Sequence, residues 1–176
     1  MTSEPPAVPA EGIRLDVVAR IDIAAPAEAC FDHIVPVELS RIFRPYWLLP
    51  GVERTDEQAR WITPGLSRTV YFTDGSRAEE RLTTVEAPRS FTYSISGFTG
   101  VNRFLLSRID GAWEFSEGAA GGTSIVWTYA LVCHNVIARA AAAAIVAPML
   151  RRYLARALQT LKTDLETEPA ASVEGA

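Results

Sequence analysis

The chain reads as a single α+β domain in which an antiparallel sheet of about seven strands wraps round one long C-terminal helix, with two short helices after the first strand. Three observations point there. Strand-like runs alternate with turn chemistry through the middle of the chain, Leu150 to Leu165 carries an apolar stripe at helical spacing, and 176 residues leave no room for a second large core.

The first ordered run, Leu15 to Ile23, puts Leu15, Val17, Ala19, Ile21 and Ile23 on one side and Asp16, Arg20 and Asp22 on the other. That period of two describes a half-buried strand. Pro26 next suits the first helical position with Glu28 in the first turn, and the short helix it opens carries Phe31 and Ile34 inward. Pro36 stops it, a second short helix is expected over Val37 to Phe43, and Pro45 and Pro50 break the chain again.

From Gly51 the pattern is a meander. Asp74-Gly75 joins Leu66–Phe72 to Arg77–Val85 and is expected to form a two-residue type I′ turn with positive φ at both central positions. Ala87-Pro88-Arg89 leads into Ser90–Ser96, and Ala119–Gly122 joins Trp113–Ser116 to Ser124–Val132. Asp110-Gly111 has two readings, a further hairpin turn or a bulge inside one long strand. Beyond Val136, Leu150, Leu154, Ala157, Leu161 and Leu165 form the stripe of an amphipathic helix of about five turns. Pro148 either starts that helix, with the alanine tract before it as a separate one, or kinks a single longer helix.

Residues 1–12 and 167–176 are too poor in apolar side chains to offset the entropy of ordering them and are expected to be disordered tails on a domain spanning 13–166. Composition narrows the function classes: the net charge is -4, and the cations, nearly all arginine with Lys162 the only lysine, are scattered. Nucleic acid is therefore not an expected partner. The opening MTSEPPAVPAEG has neither a basic leader nor an apolar run, and Ala140–Leu150 is too short to span a bilayer, so no stable membrane insertion is expected. Cys30 and Cys133 lack metal-ligand spacing and suit buried thiols in a reducing, cytoplasmic setting.

The order and spacing of several pieces resemble one family. Ile23-Ala24-Ala25-Pro26, Pro50-Gly51-Val52-Glu53, the Asp74-Gly75 hairpin, Phe91-Thr92-Tyr93, Trp113-Glu114-Phe115 and Gly122-Thr123 before Val126-Trp127-Thr128-Tyr129 look like the polyketide cyclase/dehydrase-like branch of the START-like superfamily, over roughly residues 14 to 165. The resemblance implies a helix-grip fold, also known as Bet v 1-like, with a cavity between sheet and C-terminal helix that serves hydrophobic ligands such as lipids and polyketides. It implies no common catalytic motif, since the fold hosts cyclases, carriers and receptors alike.

Nucleophile, metal and nucleotide constellations are absent from the sequence: His33 and His134 share no ligand spacing, and no Gly-x-Ser-x-Gly elbow or phosphate loop occurs. No metal or other cofactor is expected. What stands out is a set of aromatic side chains with polar tips on expected strands, among them Tyr71, Tyr93, Trp113, Trp127 and Tyr129, joined by Trp47 and Tyr153. Such groups either fill the core or line a pocket for a mostly apolar ligand. The expected ligand-binding set is Trp47, Tyr71, Tyr93, Phe98, Trp113, Trp127, Leu150, Tyr153 and Leu154.

Among Glu79, Glu80 and Arg81, alternation requires one residue to face inward unless a bulge intervenes. An inward Glu80, joined by Arg103 and Tyr93, is the catalytic candidate: a desolvated carboxylate would act as base for enolisation, as in a cyclase or dehydratase, whereas a surface or rim ion pair would be merely structural. Phe98, Val101, Phe104 and Leu105 either gate a pocket mouth or cover the helix end. The leading expectation is thus a binder of a hydrophobic small molecule, monomeric or homodimeric, with a cyclase-like enzyme and a protein-interaction module bearing a vestigial pocket as alternatives.

Overall fold

A computed structural model describes residues 13–56 and 61–167. The expected tails at 1–12 and beyond Thr167 lie outside the described residues. Seven antiparallel strands form one sheet: β1 (Ile13–Ile23), β2 (Val52–Thr55), β3 (Ser67–Phe72), β4 (Arg77–Glu86), β5 (Ser90–Ser96), β6 (Leu106–Glu117) and β7 (Thr123–Cys133). They lie in the order β1-β7-β6-β5-β4-β3-β2, so every neighbour from β2 to β7 is also the neighbour in sequence, and only β1 reaches across to pair with the last strand. Helices α1 (Ala27–Ile34) and α2 (Leu39–Ile42) fill the connection between β1 and β2.

The inner face is written by strand parity. Val17, Ala19 and Ile23 on β1 and Ile125, Trp127, Tyr129 and Leu131 on β7 are all buried. The C-terminal helix lays Leu150, Leu154, Ala157, Leu158 and Leu161 against this face, each almost fully buried, as the stripe requires. At full burial, each leucine of this stripe contributes about 1.5–3 kcal/mol relative to an exposed one. The outer face of β7 is covered differently: the register sets Arg108 and Asp110, ion-paired at 2.7 Å, beside Val132 and Ala130.

Of the two readings of Pro148, the single longer helix is the one the structure has, with a π turn in place of a break. The helix runs without a break from α3 (Val136–Ala141) through one wider π turn (Ala142–Val146) into α4 (Ala147–Thr167). Proline lacks an N–H and its ring crowds the carbonyl four residues back. The π turn directly upstream, closed by the Ala147 N–H donating to Ala142 O, gives that ring space without ending the helix. At its C-terminal end the helix is clamped: Lys162 Nζ donates to Asp22 O at 2.6 Å, the Ala24 N–H donates to Glu166 Oε1 at 2.9 Å, and Arg41 pairs with Asp164 at 3.0 Å.

Two turns correct the expectation. The β3–β4 connection is a three-residue loop, with Phe72 N–H donating to Ser76 O and only Gly75 at positive φ (80°). Asp74 stays on the ordinary side of φ because its carboxylate accepts from both the Ser76 N–H and hydroxyl, which stabilises a different turn. Positive φ at two central residues occurs instead at Ala120 (54°) and Gly121 (80°), between β6 and β7. Gly111 proves to lie inside one long strand, where a Cβ would meet the ring carbons of Tyr93. The second short helix is confined to Leu39–Ile42, and Val101–Phe104 forms a 3-10 turn before β6.

Candidate functional site

Between the inner face of the sheet, α2 and α4 lies a cavity of about 120 Å³ that opens to solvent on one side. Its wall is mainly apolar and aromatic: Phe43, Val70, Phe91, Trp113, Trp127, Leu150 and Tyr153 contribute to it. An apolar cavity of roughly this size holds one small aromatic ring. A longer ligand therefore has to extend past the half-buried lining residues, among them Leu39, Leu49, Pro50, Phe98 and Asn102.

The aromatic side chains pack on one another as well as on the cavity. Trp113 and Trp127, cross-strand partners on β6 and β7, stack with ring centres 4.1 Å apart, and Phe43 stacks on Tyr153 at 5.0 Å. Such contacts add about 0.5–1.5 kcal/mol per pair beyond area burial and hold the wall rigid.

Among the described residues, polar groups in this wall are few, and several are held by hydrogen bonds. The Trp127 Nε1–H donates to the Tyr93 hydroxyl at 2.9 Å, and the Tyr153 hydroxyl donates to Pro50 O at 2.6 Å. Burial pushes the Tyr93 hydroxyl well above its ordinary range, and the nearby Glu80 charge adds to this, while hydrogen bonds from neighbouring aromatic side chains offset it in part. Tyr129 is raised by burial, by Tyr93 and by Glu80, and Tyr153 by burial. All three hydroxyls are therefore neutral near pH 7 and are suited to hydrogen bonding rather than to proton abstraction.

The charged element is an ion pair. On β3, Arg68 shares the inward parity of Val70 and Phe72; on β4, Glu80 shares that of Ala78 and Leu82; and the two are direct cross-strand partners. Arg68 Nε lies 2.6 Å from Glu80 Oε2, both residues are buried, and the guanidinium carbon sits 4.1 Å over the centre of the Trp61 ring. Arg68, Glu80 and Trp61 all line the cavity. Taking two charges out of water costs several kcal/mol per ion, and the attraction between them seldom does more than offset that cost. An ion pair in the wall of an apolar cavity is therefore a weak stabiliser.

Strand parity sorts the residues singled out from the sequence. Tyr93, Phe98, Trp113, Trp127, Leu150 and Tyr153 are brought together on the cavity, and Glu80 faces it between the outward Glu79 and Arg81. Leu154 is fully buried against the sheet but forms no part of the cavity wall. Tyr71 points the other way, under the Arg54 guanidinium at 3.6 Å, because Val70 and Phe72 take the inward parity. Trp47 is 84% exposed at a turn with φ 54°, closed by the mutual backbone bonds of Tyr46 and Leu49, and so lies off the cavity.

Arg103 is corrected most sharply. It sits exposed on the 3-10 turn, donating to Thr99 O at 3.0 Å with its guanidinium over the Phe104 ring, and Glu80 meets Arg68 instead. The expected convergence of Glu80 with Arg103 is not formed. Arg68, Trp61 and Asn102 were missed in the sequence; for Arg68 the signal was available, since it stands two residues before Val70 in the same strand. Tyr129, two after Trp127, also reaches the cavity.

Neither cysteine enters this chemistry. Cys30 and Cys133 are free and buried, and desolvation raises both thiols. Among the described residues no three His, Cys, Asp or Glu side chains gather in a way that would hold a metal ion.

A seven-stranded antiparallel sheet gripping a long C-terminal helix over an apolar cavity defines a helix-grip domain of the Bet v 1-like class. Residues 14–166 match the family described as polyketide cyclase / dehydrase and lipid transport, and the chain belongs to that family. No curated protein matches it. Similar solved structures include Ara h 8.0201, at 14% identity and TM-score 0.61 over 88% of this chain and 99% of that one. XoxI from Bacillus cereus is 18% identical, with TM-score 0.61 over 86% and 95%. DynU16, from the dynemicin biosynthetic locus, is 17% identical with TM-score 0.57, and this chain, aligned over 86% of its length, covers 47% of it. At these identities the likeness is one of fold.

Proposed function

We propose that this chain binds a small, mostly hydrophobic molecule, lipid, polyketide or similar, in the cavity between sheet and helix. The observation that carries the reading is the open apolar cavity with the buried Arg68–Glu80 pair in its wall. The apolar lining supplies affinity through area removed from water, and the Tyr93–Tyr129 hydroxyl region and the ion pair orient whatever polar end the ligand has. The buried free thiols fit a reducing, cytoplasmic setting. An open cavity also weighs against a pure interaction module, in which this space would be packed solid.

The test uses 1-anilinonaphthalene-8-sulfonate as a fluorescent probe, with Val70→Phe to fill the cavity from β3. Saturable enhancement that falls about tenfold or more in affinity in the folded variant is expected. Native mass spectra of protein purified without organic solvent are expected to carry an additional apolar mass that the variant lacks. Unchanged probe binding in Val70→Phe, with no retained compound in the wild type, would overturn the reading.

A cyclase or dehydratase activity is the second reading, favoured by one observation: the Glu80 carboxylate and the Tyr93 and Tyr129 side chains line the same cavity. Neutral tyrosine hydroxyls there suit polarising a carbonyl while a carboxylate accepts an α-proton. Arg68 then replaces Arg103 as the cation of the set. Exchange of α-deuterium from an aryl methyl ketone, accelerated by the wild type and abolished in Glu80→Gln, is the expected sign. Equal exchange with and without protein would rule it out.

A further inference from the structure

The antiparallel order of the sheet brings four connections to one end of the molecule: 43–51 before β2, 73–76, 97–105, and the link from β7 to α3. Hydrogen bonds tie them in a row. Thr73 N–H donates to Gly51 O, Thr99 N–H donates to Arg77 O at 3.0 Å, and His134 donates from its backbone to Leu105 O and from Nε2 to Arg103 O at 2.9 Å. The cavity reaches the surface at this end, where Leu49, Pro50, Phe98 and Asn102 line it and are each only half-buried.

Large apolar side chains are turned out to solvent at this same end. Trp47 is 84% exposed, Leu48 75%, Val101 74% and Phe104 66%, and Val136 and Ile137 follow His134 at 68% and 78%. Scattered exposed leucines need no explanation, but four such residues on linked turns at a cavity mouth, with two more in the first turn of α3, do. The charge of the segments that bear them is equally one-sided. Exposed Arg44, Arg103 and Arg139 sit among them, and no carboxylate occurs from Leu39 to Val52, from Gly97 to Ile109, or between Glu117 and Asp164. Asp74 is the acidic residue at the tip of the remaining turn, and its carboxylate is engaged by Ser76. This basic end belongs to a chain whose net charge is -4.

Apolar side chains at the tips of turns with arginines beside them match the headgroup layer of an anionic bilayer, where aromatic and aliphatic groups enter the acyl boundary while guanidinium groups meet lipid phosphates. A protein partner would be met by the same apolar groups but would not by itself call for arginine without carboxylates. We propose that the cavity mouth docks reversibly on anionic phospholipid membranes through the turns carrying Trp47–Leu48 and Val101–Phe104, so that an apolar ligand passes between bilayer and cavity without crossing water. No helix among the described residues is long and apolar enough to cross a membrane, so the contact is peripheral. It goes beyond ligand binding in the cavity and is tested separately from it, because flotation reads membrane contact whether or not the cavity is filled.

The experiment is flotation of the full chain with phosphatidylcholine vesicles, with and without phosphatidylglycerol. Affinity about tenfold or more higher for the anionic vesicles is expected, falling as salt rises. The pair Trp47→Ser and Phe104→Ser should lose about tenfold or more, as should Arg44→Glu with Arg103→Glu; all four positions are exposed, so the thermal transition serves as the control for folding. Trp61, Trp113 and Trp127 are buried, so a blue shift of tryptophan fluorescence on adding vesicles should vanish in Trp47→Phe while flotation persists. No preference for anionic vesicles, or flotation unchanged in both double variants, overturns the proposal. So does self-association that Trp47→Ser with Phe104→Ser abolishes in a chain that never floats, since the turns would then join copies of the protein.

Discussion

Arg68 and Glu80 face each other directly across β3 and β4, nitrogen to oxygen 2.6 Å apart, in the wall of a cavity that is otherwise mainly apolar and aromatic. Removing either member breaks this buried contact, so Glu80→Leu alone and Arg68→Met alone should each destabilise the fold by about 3–5 kcal/mol. The double variant Arg68→Met/Glu80→Leu should recover most of that loss while altering ligand selectivity. Urea unfolding of the four proteins measures it; a double variant no more stable than either single one would show that the pair holds the fold itself.

Stability should fall steeply above pH 10. The hydroxyls of Tyr93, Tyr129 and Tyr153 are raised in the folded state above the value near 10 that they take in the unfolded chain. Their contribution is whole below pH 10; above it the unfolded state sheds protons that the folded state retains, costing up to about 1.4 kcal/mol per pH unit per tyrosine until the folded value is reached. Urea titrations from pH 8 to 11 read the slope, and Tyr93→Phe should make it shallower. An unchanged slope in that variant would mean Tyr93 ionises alike in both states.

Tyr93→Phe has a second consequence at neutral pH. It leaves the buried Trp127 Nε1–H without its acceptor, at a cost of about 1–3 kcal/mol. The same transition followed at pH 7 checks this, with Tyr71→Phe on the outer face as a comparison expected to stay within about 0.5 kcal/mol.

Ala120 occupies the left-handed region at φ 54°, where a Cβ costs about 1–2 kcal/mol. Glycine removes that strain and gives back about 0.4–1 kcal/mol of unfolded-state entropy. Ala120→Gly should therefore raise the melting temperature by roughly 1–3 °C. A lower melting temperature would contradict the turn geometry.

Gly111 makes the opposite case. The Tyr93 ring lies against its Cα, so Gly111→Ala must displace the ring and loosen its bond to Trp127, destabilising by about 1–3 kcal/mol. Weakened probe binding should accompany this loss, because Tyr93 and Trp127 share the cavity wall.

Period and punctuation made much of this architecture legible. Alternation along Leu15–Ile23, prolines on either side of the first helix and the stripe from Leu150 to Leu161 each express a local rule that tertiary context did not overrule. Inward placement of Glu80 was also readable as one option, since three consecutive charged residues on a strand cannot all face water. The errors have one source. Tyr71 and Trp47 have the chemistry of pocket residues, whereas parity turns the first outward and a tight turn exposes the second. Arg68 faces inward because it shares the parity of Val70 and Phe72, a pattern already present in the sequence.

The antiparallel sheet, the lone gripping helix and the shortage of ionisable groups for its interior follow from the sequence by itself, because hydrophobic period and turn residues are local properties of a chain. Only the tertiary structure decided that Glu80 meets Arg68 rather than Arg103, that Gly111 yields space to the Tyr93 ring, and that Trp47 and Phe104 stand at the mouth of the cavity. Each of those pairings depends on register between strands or on the packing of loops distant in sequence, and register is set by the whole sheet closing on its helix.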